Sequence, residues 1–240
     1  MNERRDIRYN AKSHVGLKRK VNEDSVLALP EQDLWVVSDG MGGHDAGDFA
    51  SRLIADTIAM IPGGLDPTAR MHALRNAIQS AHRIILKEAE DRGRGLIGAT
   101  VAALMLSNGH FVGLWAGDSR IYRLRDGVIE MLTTDHSAVA ELVLAGRMSW
   151  DEAEQHPQSN AITRAVGVGD ELELDKVRGE VRPGDRFLLC SDGLTKYATF
   201  SILQDALNRL PIETVADHLI QIALDGGGAD NITVIVLDVA

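Results

Sequence analysis

Apolar positions along the chain change their period several times, and each change marks a different kind of element. Ser25 to Leu29 and Leu34 to Ser38 are short apolar-rich runs separated by Pro30-Glu31-Gln32-Asp33, which predicts two strands joined as a hairpin. From Asp45 the spacing lengthens, with Phe49, Leu53, Ile54, Ile58 and Ile61 recurring at three- and four-residue steps as in an amphipathic helix. A second helix is predicted from Asp66-Pro67, a capping residue ahead of a proline at the first helical position. Its buried stripe is Leu74, Ile78, Ala81, Ile85 and Ala89, and it ends near Gly93.

Strand-like runs then return. Thr100 to Leu106, His110 to Ala116, Ser119 to Arg125 and Val128 to Leu132 are separated by Ser107-Asn108-Gly109, Gly117-Asp118 and Asp126-Gly127, the pattern of an antiparallel meander. Residues 137 to 160 interrupt it with two short helical pieces, the second opened by Ser149 and Glu152 in capping-box spacing. They read as an insertion with exposed positions such as Arg147 and Glu154. Strands are predicted again at Glu171 to Val177, Arg186 to Cys190 and Ile232 to Val239, with helices over about Phe200 to Leu210 and Ile212 to Leu224. Hairpin-linked strands separated by paired helices indicate an α+β fold of antiparallel sheets covered by helices, not a doubly wound parallel sheet.

At 240 residues and 45% hydrophobic content the chain can bury a full core, and no repeat or Pro/Ser-rich linker divides it, so residues 1–240 read as one domain with a flap-like insertion at about 137–160. Met1 to Asp6 is polar and charged and no apolar run approaches the roughly 18 residues of a membrane span, so a cytoplasmic protein is expected. The formal charge of −10 disfavours nucleic acid or an anionic membrane as the main partner. The single cysteine, Cys190, excludes an internal disulfide framework.

The acidic excess becomes informative where aspartates stand just beyond apolar strands. Trp35-Val36-Val37-Ser38-Asp39-Gly40 and Leu188-Leu189-Cys190-Ser191-Asp192-Gly193 match in form. A strand rising from a packed core can hold a carboxylate in one orientation, and the following glycine permits a sharp turn and close backbone approach. Asp126-Gly127, between alternating strands, reads instead as a turn. Asp118 after Leu114-Trp115-Ala116-Gly117, Asp230 before the last strand, and Glu23-Asp24 before an early one complete the set. Oxygen ligands of this kind suit hard cations such as Mg²⁺ or Mn²⁺. Clustered carboxylates would repel unless divalent ions neutralised them.

Seven segments in this order resemble the metal-dependent serine/threonine protein phosphatases of the phosphatase 2C type, in their compact bacterial form. They are Arg19-Lys20-Val21-Asn22-Glu23-Asp24-Ser25, Ser38-Asp39-Gly40-Met41-Gly42-Gly43-His44, Gly98-Ala99-Thr100, Ala116-Gly117-Asp118-Ser119-Arg120, Thr134-Asp135-His136-Ser137, Cys190-Ser191-Asp192-Gly193-Leu194 and Ala229-Asp230-Asn231-Ile232-Thr233. The resemblance implies a sandwich of two antiparallel sheets with helix pairs on both outer faces and a two-metal centre between the sheet ends. It implies that Asp39 bridges two Mn²⁺ or Mg²⁺ ions, the Gly40 carbonyl ligates one, Asp192 and Asp230 ligate the other, and Glu23 and Asp24 hold surrounding waters. Arg19 falls at the phosphate-binding arginine, and Asp118 at an acid holding a third, weaker ion.

The chain departs from eukaryotic members in one respect. Met41 stands where they carry a histidine proposed as general acid, and His44 lies three residues further on. His44 has the intrinsic pKa to protonate a departing oxygen, and equally stands where a helix-capping histidine would. His136 and the remaining histidines read as structural. The implied partner is a phosphorylated protein substrate of a monomeric enzyme that opposes a Ser/Thr kinase; a forkhead-associated protein is one such substrate in the family, and some members serve type VI secretion. A cysteine phosphatase would need an arginine six residues after the cysteine, but position 196 is lysine; no Gly-x-Ser-x-Gly elbow or P-loop is present. A non-catalytic phosphoprotein-binding module is the remaining alternative.

Overall fold

A computed structural model describes residues 6–42, 45–93 and 96–240. Its elements in chain order are β1 Ile7–His14, β2 Asp24–Leu29, β3 Leu34–Met41, α1 Asp45–Ala59, α2 Pro67–Asp91, β4 Gly98–Ala99, β5 Val101–Ser107, β6 His110–Ala116, β7 Arg120–Arg125, β8 Val128–Met131, α3 Ala140–Leu144, α4 Trp150–Ala153, β9 Asp175–Glu180, β10 Arg186–Cys190, α5 Asp192–Thr195, α6 Phe200–Arg209, α7 Ile212–Asp225 and β11 Ile232–Val239. One sheet runs β1-β11-β10-β7-β8 and the other β2-β3-β5-β6-β9, with β4 against β3; the pairings are antiparallel.

Strand alternation builds three cores from these two sheets. On β3, Trp35 and Val37 point between the sheets and meet Phe187, Leu189, Ile235 and Leu237, while Leu34 and Val36 point outward under α1 and α2. On β11, Val234 and Val236 turn the other way, onto α6 and α7. The result is the expected α-β-β-α sandwich. Asp66 accepts hydrogen bonds from the amides of Thr68 and Ala69 to start α2, and Leu74, Ile78, Ala81 and Ile85 are buried as the periodicity predicts. Among the described residues no helix is long and apolar enough to cross a membrane.

Three sequence expectations need correction. The predicted meander breaks at Gly117–Ser119, where the chain leaves one sheet for the other: β6 pairs with β9, and β7 with β10 and β8. Local turn signals do not say which edge a strand will join, and that choice rests on contacts far apart in sequence. The strand predicted at Glu171 begins at Asp175, because its ladder partner β6 ends at Ala116 and the last rung is Trp115 with Asp175. Leu172 and Leu174 alternate like strand residues but bury in the helix-side core, where Gln79 donates to the Leu172 carbonyl at 2.8 Å. β1 was not predicted at all. It is an edge strand whose polar Arg8, Asn10, Lys12 and Ser13 dilute the apolar signal, yet it pairs with β11 over eight residues.

Candidate metal centre

Strand ends of both sheets bring the predicted aspartates to one rim. Asp24 and Asp39 are register partners on β2 and β3, while Asp192 follows β10 and Asp230 precedes the neighbouring β11. Asp118 lies in the crossover between the sheets. Both Asp-Gly glycines permit close approach. A Cβ on Gly40 would overlap the Gly47 carbonyl in α1, and one on Gly193 would overlap the carbonyl of Asn231.

The other residues of the seven segments hold these acids in place. The Ser191 hydroxyl donates to Asp24 Oδ2 at 2.8 Å and accepts from the Thr233 amide at 3.0 Å. The Asn231 side chain accepts from the Glu23 amide at 2.8 Å and donates to the carbonyls of Val15 and Val21, pinning the Arg19 loop. Thr100 Oγ1 accepts from the Asp39 amide at 2.9 Å and contacts the Ser119 hydroxyl at 2.7 Å. The carbonyl of Glu23 accepts from the Gly40 amide and from the Ser51 hydroxyl.

Electrostatics at this rim are those of charges forced together. Burial pushes the Asp24 carboxyl up to about 7, with Asp192 and Asp230 adding to the rise and hydrogen bonds from Thr233 and Ser191 opposing it. Asp39 is raised well above the carboxylate range by desolvation and then by Asp24, Asp192, Asp118 and Asp230. Asp118 is raised likewise, by burial and then by Asp192 and Asp135, against the pull of Arg120 and Lys196. Asp24 Oδ1, Asp118 Oδ1 and Asp192 Oδ1 are buried without a hydrogen-bond partner. Orphaned buried carboxylate oxygens are costly, and a divalent ion is the group that resolves both the repulsion and the missing partners. The donor set therefore fits hard cations.

Among the described residues, however, no three such side chains close on one point as a ready-made ion cage. Side-chain cations stand against part of the set. Arg19 grips Asp230 through Nη2 and Nε, each at 2.9 Å, and Lys196 Nζ lies 2.7 Å from Asp192 and 3.3 Å from Asp230. His44, the candidate general acid, lies outside the described residues.

Sequence reasoning missed two features. Lys196 was seen only as a residue incompatible with a cysteine phosphatase, although its i+4 spacing from Asp192 was a signal. Arg120 was read only as part of a motif, yet it is a buried hub beside Asp118. It makes a bidentate contact with Asp135 at 2.6 to 3.1 Å, an ion pair with Glu154 at 2.8 Å and a cation-π contact with Trp150 at 5.2 Å. Glu154 is thus not the exposed position expected. Its side chain is only 9% accessible and anchors the 137–160 segment to the core. His136 stacks on Trp115 at 6.1 Å and accepts from the Gly117 amide, and burial lowers its pKa.

Cys190 is fully buried on β10 and its thiol is pushed up, chiefly by burial, so no thiolate is at hand. Cys190→Ser is expected to retain at least about half of wild-type turnover, since nothing reactive is removed; a folded Cys190→Ser protein with no activity would point to thiol chemistry.

Comparison with known proteins agrees with this architecture. The family model described as "Protein phosphatase 2C" matches residues 13–225. The serine/threonine protein phosphatase PstP of Mycobacterium tuberculosis is 41% identical over 237 residues, which are 97% of this chain and 45% of PstP, so the chain spans about half the length of that relative. The solved structure of PppA, described as a key regulatory component of T6SS in Pseudomonas aeruginosa, superposes with a TM-score of 0.90 at 45% identity, covering 98% of each chain. The PstP catalytic domain in complex with two manganese ions superposes at 0.83 with 38% identity, covering 98% of each chain. Two antiparallel sheets are thus an architecture that this chain shares with the solved PstP phosphatase domain. The chain belongs to the protein phosphatase 2C family.

Proposed function

We propose that this protein hydrolyses phosphoserine and phosphothreonine monoesters in proteins, by direct attack of water at a two-metal centre. The observation that carries this reading is the set of buried aspartates with unpartnered oxygens and raised pKa values at the rim. In it, Asp39 would be shared between the ions, the Gly40 carbonyl would hold one and Asp192 and Asp230 the other; Glu23 and Asp24 would order surrounding water, and Asp118 would hold a third, weaker ion. Bound Mn²⁺ or Mg²⁺ supplies the activation of the attacking water and offsets charge on the phosphoryl oxygens. Arg19, half exposed and paired with Asp230, would turn its planar fork to two phosphoryl oxygens and orient the phosphate. His44 is the proposed proton donor to the departing serine or threonine oxygen.

The substrate is a phosphorylated protein, and the enzyme opposes a serine/threonine kinase, with the kinase itself or a forkhead-associated protein as the target. It acts as a cytoplasmic monomer, and the likeness to PppA supports a place in secretion-linked signalling. Phosphate release from a phosphothreonine peptide and from an aryl phosphate, measured with Mn²⁺ and after chelation, tests the reading. Turnover that requires the ion is expected; none on either substrate at saturating Mn²⁺ would leave only a binding module.

The 137–160 segment is the proposed flap that helps choose the protein substrate. It carries its own short helices, is anchored by Glu154, and leaves Arg147 exposed. Arg147→Ala is expected to raise KM for a phosphoprotein about threefold to tenfold and to leave aryl phosphate kinetics unchanged. Equal loss on both substrates would mean general destabilisation instead.

A further inference from the structure

We infer that Lys196 is a built-in competitor for the divalent ion at the Asp192–Asp230 pair, holding metal affinity there below what the carboxylates alone would give. The inference rests on the metal-dependent reading above and adds to it a residue that sets which ion binds more weakly. Lys196 follows Asp192 by one turn at the end of α5, and its amide donates to the Asp192 carbonyl at 3.0 Å, which fixes the start of its stem. Its ammonium reaches Asp192 Oδ2 at 2.7 Å and Asp230 Oδ2 at 3.3 Å. Asp230 comes from the loop before β11, so one cation ties together two segments that meet only in the fold.

The neutral reading is a solvent-exposed i,i+4 pair of small consequence. Two observations go against it. The Lys196 side chain is only 17% accessible, and it serves a second acid from outside its own helix. Arg19 contacts both oxygens of Asp230, so of the four carboxylate oxygens on this pair only Asp192 Oδ1 faces no side-chain cation, and that atom is buried without a partner.

An ion approaching these oxygens meets a charge already seated on them. It must push the ammonium aside, which breaks charge-assisted hydrogen bonds. That cost weakens binding at this pair. Asp24, Asp118 and Asp192 each keep one buried oxygen open to an incoming ion, whereas Asp230 faces side-chain cations on both of its oxygens. A lysine suits this role because its ammonium is a compact point charge on a flexible stem that can swing away once displaced.

The test is calorimetric titration of Mn²⁺ into chelator-treated wild-type protein, Lys196→Met and Lys196→Arg at fixed pH and salt. Lys196→Met, close in size but uncharged, is expected to bind at its weaker site about tenfold more tightly, or about 1.4 kcal/mol. Lys196→Arg, which keeps the charge, is expected to stay within about threefold of wild type. Equal or weaker binding by Lys196→Met overturns the inference while leaving the metal centre standing; a wild-type protein that takes up no Mn²⁺ overturns both. Should Lys196→Met not fold, acylation footprinting of the wild-type protein gives an independent answer. Displacement by Mn²⁺ is expected to make Lys196 several-fold more reactive, and an unchanged rate in a protein that binds Mn²⁺ overturns the inference.

Discussion

Asp39→Asn is expected to lower phosphopeptide turnover by about 10³-fold or more while leaving the protein folded. The carboxylate sits among Asp24, Asp118, Asp192 and Asp230, and its removal takes away both a ligand and the negative charge that attracts a divalent ion. The amide is nearly the same shape, so the backbone contacts that shape the site survive: the Asp39 amide to Thr100 Oγ1 and the Thr100 amide to the Asp39 carbonyl. One acid fewer also relieves repulsion, so the chelated variant should melt at or slightly above the chelated wild type. Steady-state kinetics, Mn²⁺ titration and thermal melting on the same sample decide the matter. Near-normal turnover with only weakened Mn²⁺ binding would remove Asp39 from the bridging role.

Saturating Mn²⁺ is expected to raise the melting temperature of the chelated protein by roughly 10 °C, and the gain should grow with pH. Two ions each at about a hundredfold over Kd contribute about 5 kcal/mol together, which for a chain of this size corresponds to roughly 10 °C. The pH dependence follows from the raised acids. Asp24 titrates near 7 in the fold, against about 3.9 in an unfolded chain, so the folded state binds the extra proton between these values. Its favourable contribution is fully present below about 3.9 and is lost as pH rises through about 7. Asp39, Asp118, Asp135 and Glu154 are raised too and act in the same direction. Asp175 and Asp185 are lowered by their arginine and histidine partners, so their contribution is lost only in acid, below the carboxylate range, outside this window. His82 and His136, lowered by burial, oppose the trend inside the window up to about 6.5, where an unfolded histidine gives up its proton, but two groups stand against five. Chelated protein should therefore melt lower at pH 8 than at pH 5, by about 5 °C. Mn²⁺ should abolish that fall by taking the place of the protons. A melting temperature that climbs steadily from pH 5 to 8 in chelator would show that the clustered acids carry no such strain.

Much of this molecule is written locally. The 3.6-residue stripe of α2 with its Asp66-Pro67 start, the Ser149–Glu152 capping box of α4, and the boundaries of β6, β10 and β11 depend on neighbours a few residues away, and pattern alone sets them. The acids were legible for the same reason, since an aspartate straight after a buried run is conspicuous within a single strand. Pairing was not legible. The exit of the chain from one sheet to the other after β6, the start of β9 at Asp175 and the edge strand β1 were set by which ladder had a free partner. Charge compensation was equally hidden. Lys196 reaches Asp230 across 34 residues of chain, and Arg120 recruits Asp135 and Glu154 from 15 and 34 residues away, because a buried charge takes whichever partner the fold brings near. Sequence determined which groups could do chemistry. Only the tertiary structure decided which of those charges face one another, since desolvation and Coulomb forces depend on distance in space and not along the chain.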